Sequence, residues 1–73
     1  MREGVAMYSW ELDNFIKGRN GVVTRNEFFK LVNRVDNPQI ADVRPEANTH
    51  NYLGNFVIYT EDNYILKVSV VED

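Results

Sequence analysis

Few side chains in this sequence have the types and spacing that catalysis needs. His50 is the single histidine and there is no cysteine, so a transition-metal site would lack its usual nitrogen and sulfur ligands. The adjacent acids Glu61 and Asp62 lie between two β-rich runs, where a turn leaves them in water. General acid–base catalysis needs a cleft that shifts a carboxyl pKa. We therefore predict a protein that is not an enzyme and has no catalytic residues, metal or cofactor.

The hydroxyl side chains are better explained as helix caps than as nucleophiles. Ser9 precedes a run with helical periodicity and can accept hydrogen bonds from the first backbone N–H groups of a helix. Thr24 and Glu27 have the spacing of a capping box, which predicts a second helix beginning at Arg25. No general base follows either hydroxyl in an evident pattern.

Charged residues are distributed unevenly along the sequence. Residues 17–34 carry a net charge of +4, with Glu27 as the one acid, although the whole chain has a net charge of −3 and a pI of 5.0. Such sorting is typical of a docking surface. Trp10 lies opposite the apolar stripe of the first helix and could anchor an interface. The candidate partner-binding residues are Trp10, Lys17, Arg19, Arg25, Lys30 and Arg34.

Both features also have a plainer explanation, which the sequence leaves open. The basic side chains could form an ordinary solvated helix face in which Glu27 pairs with Lys30, and exposed charges of this kind contribute little energy. Trp10 could fold back over the second helix or the sheet, because a tryptophan ring is costly to leave in water.

Two N-terminal helices are expected to position these side chains. The first is predicted over residues 9–17, capped by Ser9 and ended by Gly18. The second is predicted to start at Arg25, to stop at the proline-containing run 36–38, and to place Lys30 and Arg34 one turn apart. Their apolar faces are expected to contain Tyr8, Leu12, Phe15 and Ile16 on the first helix, and Phe28, Phe29, Leu31, Val32 and Val35 on the second.

Strands are expected in the second half of the chain. A short edge strand is predicted over residues 39–44, and longer strands over Tyr52–Thr60 and Tyr64–Val71, joined through Asn63 in a left-handed conformation. Lys67 and Ser69 should face solvent, and the core side should contain Phe56, Ile58, Leu66, Val68 and Val70.

The predicted fold class is therefore α+β. Two N-terminal helices are expected to pack on a small two- or three-stranded antiparallel sheet that ends in a C-terminal β-hairpin. Residues 1–73 are expected to form a single domain, with residues 1–7 as a flexible arm.

The absence of cysteine from so small a domain favours a reducing cytoplasm, and no apolar run approaches the ~20 residues of a membrane span. The first residues are also too polar for a signal peptide. We expect a monomer that does not associate with membranes.

A nucleic-acid-binding regulator is an alternative function. A helix, a short turn and a second helix with basic residues loosely fit the helix-turn-helix outline over residues 9–35. However, no supporting third helix is predicted, and Glu27 lies among the side chains that would enter a groove. The acidic balance of the chain also counts against DNA binding, because phosphate neutralisation supplies much of the affinity of DNA-binding domains.

The runs MREGVAMYSWELDNF and RNEFFKLVNRV, together with the overall length, carry a resemblance to a known group. The whole chain resembles the small transcription regulators of lytic Xanthomonas phages that bind host RNA polymerase. The resemblance implies a protein of the host bacterial cytoplasm that binds the β and β′ subunits of RNA polymerase near the RNA exit channel. It also implies inhibition of initiation by displacement of the sigma factor, and antitermination at intrinsic terminators.

The resemblance assigns no contact residues. The basic residues of 17–34 would suit acidic polymerase surfaces or a position close to emerging RNA. A protein that blocks some other host factor remains a further alternative.

Overall fold

The residues that the structure describes form two helices and four strands. In the computed structural model, which describes residues 8–46 and 49–73, the predicted α+β class is confirmed. The arm predicted for residues 1–7 lies outside the described residues. The elements in chain order are α1 (Ser9–Gly18), β1 (Val22–Thr24), α2 (Arg25–Leu31), β2 (Ile40–Pro45), β3 (Gly54–Thr60) and β4 (Ile65–Val71).

The sheet is mixed and has four strands, so the expectation of an antiparallel sheet of two or three strands is wrong. Its order is β1-β4-β3-β2, with β1 parallel to β4 and the other two pairs antiparallel. The sequence does not predict β1, because these three residues overlap the capping signal of α2. The predicted edge strand is confirmed as β2, and Asn63 (φ 72°) has the left-handed conformation expected in the β3–β4 hairpin.

The N-terminus of α1 is capped differently from the prediction. Tyr8, not Ser9, is the N-cap residue, and its N–H donates to Glu11 Oε1 at 2.7 Å. Tyr8 is 58% exposed, so its predicted place on the apolar face is wrong. Ser9 is instead buried as the first residue of the helix.

α1 ends at Gly18, one residue later than predicted. Asn20 (φ 57°), not Gly18, takes the left-handed conformation that closes the helix. Its N–H donates to the Lys17 carbonyl at 3.0 Å, and the Gly21 N–H donates to the Ile16 carbonyl at 2.8 Å. These two bonds form a Schellman motif, which satisfies carbonyls at the end of the helix.

The capping box predicted for α2 is confirmed. The Glu27 N–H donates to Thr24 Oγ1 at 3.2 Å, and the Thr24 N–H donates to Glu27 Oε1 at 2.9 Å. Arg19 contacts the same Oε1 at 2.8 Å through Nη2. The carboxylate therefore joins the turn after α1, the end of β1 and the start of α2.

α2 ends at Leu31, earlier than predicted. The buried Asn37 side chain donates from Nδ2 to the carbonyls of Lys30 at 3.3 Å and Leu31 at 3.1 Å. These bonds satisfy the end of the helix in place of a further turn. Val35 is consequently 89% exposed, not buried as predicted, and Lys30 and Arg34 do not form one helical stripe.

The hydrophobic core lies between the helices and one face of the sheet. The core-facing residues predicted for β3 and β4 are confirmed, and Lys67 on the opposite face is exposed. The core consists of Leu12, Ile16, Val23, Phe28, Leu31, Ile40, Phe56, Ile58, Leu66, Val68 and Val70.

The outer edge of β2 is closed to further strands. The Glu46 N–H donates to the Asn55 carbonyl, so in the β2–β3 register the backbone donor positions of Val43 and Pro45 point away from β3. The Val43 N–H donates to Asp42 Oδ1 at 2.9 Å, and Pro45 has no N–H to offer. Arg34 Nη2 donates to the Ala41 carbonyl at 2.8 Å. Groups satisfied in this way do not recruit another chain.

The outer edge of β1 is closed in a similar way. The Ser69 N–H donates to the Gly21 carbonyl at 2.7 Å, which fixes the parallel register and turns the N–H groups of Val22 and Thr24 outward. The Val22 N–H donates to the Arg19 carbonyl at 3.0 Å, and the Thr24 N–H is taken by the capping box. A partner is therefore expected to bind side chains and not to add a strand.

The capping box gives a first prediction. Thr24→Ala should lower the free energy of unfolding by about 1 kcal/mol, because the Glu27 N–H loses its acceptor. Urea denaturation measures this change. Thr24→Ser, which keeps the hydroxyl, should lose much less. Equal losses in the two variants would show that the methyl group, and not the cap, accounts for the effect.

Candidate functional site

The basic residues of 17–34 do not form one continuous surface. Lys17 Nζ pairs with Asp13 Oδ2 at 2.9 Å, one turn earlier on α1. Arg19 pairs with Glu27, and its guanidinium carbon lies 5.6 Å from the centre of the Phe15 ring. Two of the five positive charges are therefore balanced within the molecule.

Among the residues that the structure describes, the other three basic side chains have no ion pair. Arg25 Nη1 donates to the carbonyl of Asn51 at 3.2 Å, and Arg34 is bound to the Ala41 carbonyl, so both contact neutral groups. Lys30 is exposed on α2. The Glu27–Lys30 pair of the plainer explanation is absent from the described ion pairs, in which Glu27 binds Arg19 instead.

Trp10 lies on the surface and belongs to an exposed aromatic pair. Its ring stacks on Tyr8, with ring centres 6.2 Å apart and an interplanar angle of 9°. Trp10 is 53% exposed, so it does not fold away over α2 or the sheet. Its expected position off the apolar face of α1 is confirmed.

A hydrogen-bond network fixes the start of α1, and with it the Tyr8–Trp10 pair. Ser9 Oγ donates to Asp62 Oδ1 at 2.5 Å, and Thr60 Oγ1 donates to the same oxygen at 2.7 Å. The Ser9 bond, followed by the Thr60 bond, lowers the pKa of the Asp62 carboxyl below its ordinary value. The network attaches the helix to the β3–β4 hairpin.

A second exposed aromatic pair lies beside α2. The rings of Phe29 and Tyr52 meet edge to face, with centres 5.3 Å apart and an interplanar angle of 74°. Phe29 is 43% exposed and Tyr52 58% exposed, so the prediction that Phe29 is buried is wrong. Only its neighbour Phe28 enters the core, where its ring centre lies 4.7 Å from that of Phe56.

Tyr52 has an unusual backbone conformation. It follows Asn51 in a two-residue turn between His50 and Leu53, and both turn residues have positive φ, 55° for Asn51 and 60° for Tyr52. A left-handed conformation costs a non-glycine residue roughly 1–2 kcal/mol. Residues held in such conformations are concentrated at functional sites.

Sequence reasoning does not find this pair. A two-residue turn with two positive φ angles usually contains glycine at its second position, and Asn51-Tyr52 gives no such signal. Phe29 follows Phe28 in a helical apolar pattern, and periodicity alone does not show which of the two rings is buried.

The described helices do not have the helix-turn-helix arrangement. β1 separates α1 from α2, and α2 has only seven residues. Within residues 8–46 and 49–73, no group of three or more histidine, cysteine or acidic side chains is placed to hold a metal. In that part of the chain, neither helix is long and apolar enough to cross a membrane.

The Ser9–Asp62 contact predicts a pH dependence. Because folding lowers the Asp62 pKa, its contribution to stability is present above the ordinary value of 3.8. It is lost as the pH falls through the lower folded-state value. Asp62→Asn should flatten the decline of Tm in this acid range. Glu61→Gln, a change in the neighbouring exposed acid, should keep the wild-type slope. Equal slopes for wild type and Asp62→Asn would refute the assignment.

Comparison of the chain with protein-family models, curated proteins and solved structures finds no match. The fold and the two exposed aromatic pairs are therefore described from this chain alone. The chain has two candidate binding surfaces: the Tyr8–Trp10 pair at the start of α1, and the Phe29–Tyr52 pair beside the unbalanced basic residues of α2.

Proposed function

We propose that this protein regulates transcription by binding the β and β′ subunits of bacterial RNA polymerase. In this proposal it inhibits initiation by displacing the sigma factor and promotes antitermination. It acts by occupying a surface and not by catalysis. The resemblance of its two sequence runs to phage transcription regulators supports the choice of partner.

The exposed Trp10 is the observation that carries the proposal of a protein partner. Tryptophan is enriched among the residues that dominate binding energy at protein interfaces. Trp10 is 53% exposed and rests on the Tyr8 ring, while Ser9 between them is anchored to Asp62. A ring held in place before binding loses little conformational entropy when a partner covers it.

The basic side chains contribute in different ways. Arg25 and Lys30 on α2 can attract an acidic polymerase surface and raise the association rate. Lys17 and Arg19 are paired with acids of this chain, so a new partner would have to compete for them. Arg34 supports the edge of β2. We therefore assign the steering role to Arg25 and Lys30.

Retention of polymerase from a bacterial lysate tests the proposal. The tagged protein should retain RNA polymerase subunits at moderate salt. Trp10→Ala should weaken binding to purified polymerase by about 30-fold, the equivalent of a 2 kcal/mol interface residue. Tyr64→Ala, which removes a partly exposed ring from the β3–β4 hairpin, should bind within about twofold of wild type, because a surface residue outside the interface contributes little.

Transcription assays then test the activity. Wild type should reduce sigma-dependent initiation and increase read-through of an intrinsic terminator, and Trp10→Ala should lose both effects. Failure of the wild-type protein to retain any polymerase subunit would overturn the proposal. Retention without an effect on initiation or termination would overturn the regulatory part.

A further inference from the structure

We infer that the exposed face of α2 binds single-stranded RNA. This face brings together two cationic side chains, an aromatic ring and an amide, with Tyr52 beside them. Single-stranded nucleic acids are bound by this combination, because bases stack on aromatic rings while cations hold the phosphates. The side chains on this face are Arg25, Asn26, Phe29 and Lys30.

The aromatic part of the face is the Phe29–Tyr52 pair. The two rings lie at 74° to one another, so they form a corner and not a flat stack. A base that stacks on one ring meets the edge of the other. Both rings are more than two-fifths exposed, and a base can therefore reach them without displacing core residues.

The conformation of Tyr52 supports a binding role. Its left-handed backbone (φ 60°) is unfavourable for an aromatic residue, yet the exposed ring contributes no contact to the hydrophobic core. Arg25 holds the turn by donating to the Asn51 carbonyl at 3.2 Å. The turn thus keeps a tyrosine ring at the surface near a cation, and these are the two kinds of side chain that bind single-stranded nucleic acids.

The charge of the face favours an anionic ligand. On α2, Arg25 lies one turn before Phe29 and Lys30 directly follows it, and Glu27, the acid of this helix, is occupied by Arg19 and the helix cap. Asp73 is the opposing charge, since its Oδ1 accepts from the Asn26 N–H at 3.1 Å. Because Asp73 would repel a phosphate from the first N–H groups of α2, we expect phosphates to bind closer to the side chains of Lys30 and Arg25.

Single-stranded RNA fits this face better than a duplex or an acidic peptide. A duplex keeps its bases stacked inside, out of reach of the two rings. An acidic peptide could use the cations but would leave the ring corner without a flat partner. The exposed Asn26 side chain, one turn from Phe29 and Lys30, offers an amide to a ribose 2′-hydroxyl, which distinguishes RNA from DNA.

Fluorescence anisotropy with a labelled 12-nucleotide single-stranded RNA of mixed sequence tests the inference without polymerase. The full chain should bind this RNA more tightly than the matching single-stranded DNA, the DNA duplex or an acidic 12-residue peptide. Phe29→Ala and Tyr52→Asn should each weaken binding about tenfold through lost stacking. Asparagine tolerates the left-handed conformation, so Tyr52→Asn should keep the Tm of the wild type or raise it.

Matched control variants distinguish binding of RNA at this face of α2 from non-specific electrostatic attraction of RNA to the protein. Lys30→Gln should weaken binding and reduce the slope of log K against log salt by about 0.7. Lys67→Gln makes the same charge change on the opposite face of the sheet and should affect binding less. Trp10→Ala, which removes the indole ring of the other exposed aromatic pair, should leave the RNA affinity unchanged.

Several results would overturn the inference. One is the absence of RNA binding at about 50 mM salt, the lower end of the range over which such contacts are usually compared. Another is equal or tighter binding of the duplex or the peptide. A third is an equal effect of Lys30→Gln and Lys67→Gln on RNA affinity. Preference for single-stranded DNA would overturn the choice of RNA. The proposed polymerase binding is tested separately through Trp10, so failure of either proposal leaves the other standing.

Discussion

The arrangement of the N-terminal half depends on one carboxylate oxygen, Oε1 of Glu27. It accepts the Thr24 N–H and contacts Arg19 at 2.8 Å, so it joins three successive segments. The Thr24 N–H lies at the outer edge of β1 and also at the start of α2. Glu27 Oε1 therefore supplies both the acceptor that the strand edge lacks and the acceptor that the helix start lacks. Since β1 is only three residues long, its direction is set by this junction and by its parallel pairing with β4. The place of α2 over the sheet follows from the same geometry.

The sequence predicts those parts of the fold that are determined locally. The Thr24–Glu27 spacing defines a capping box in any context, and alternation over residues 64–71 identifies a half-buried strand. β1 is not predictable in this way, because its stabilising partner lies more than forty residues away in β4. The end of α2 depends likewise on Asn37, whose side chain reaches back to the Lys30 and Leu31 carbonyls. Helical periodicity carries no information about such a bond.

The candidate surfaces were predictable in part. The helical periodicity places Trp10 opposite Leu12 and Ile16, but it leaves open whether the ring folds back, and the fold shows that the ring is exposed. The basic residues are also evident in the sequence, but which of them are balanced depends on tertiary neighbours such as Glu27 for Arg19. The sequence predicts Tyr52 as the first residue of a strand, which is wrong because β3 begins at Gly54. The turn is not foreseen because it lacks the glycine that usually marks two positive φ angles. The role of Tyr52 as a surface residue emerges only from the fold.

The closed edges of the sheet affect the equilibrium between single copies of the chain and copies paired through their strands. Strand-to-strand association of two copies would require Asp42 and Arg34 to release their backbone partners on β2, and would meet Pro45 where a donor is needed. Pairing of two copies through these strand edges is therefore disfavoured. Such pairing would withdraw little of the chain from a target that binds the surfaces of α1 and α2.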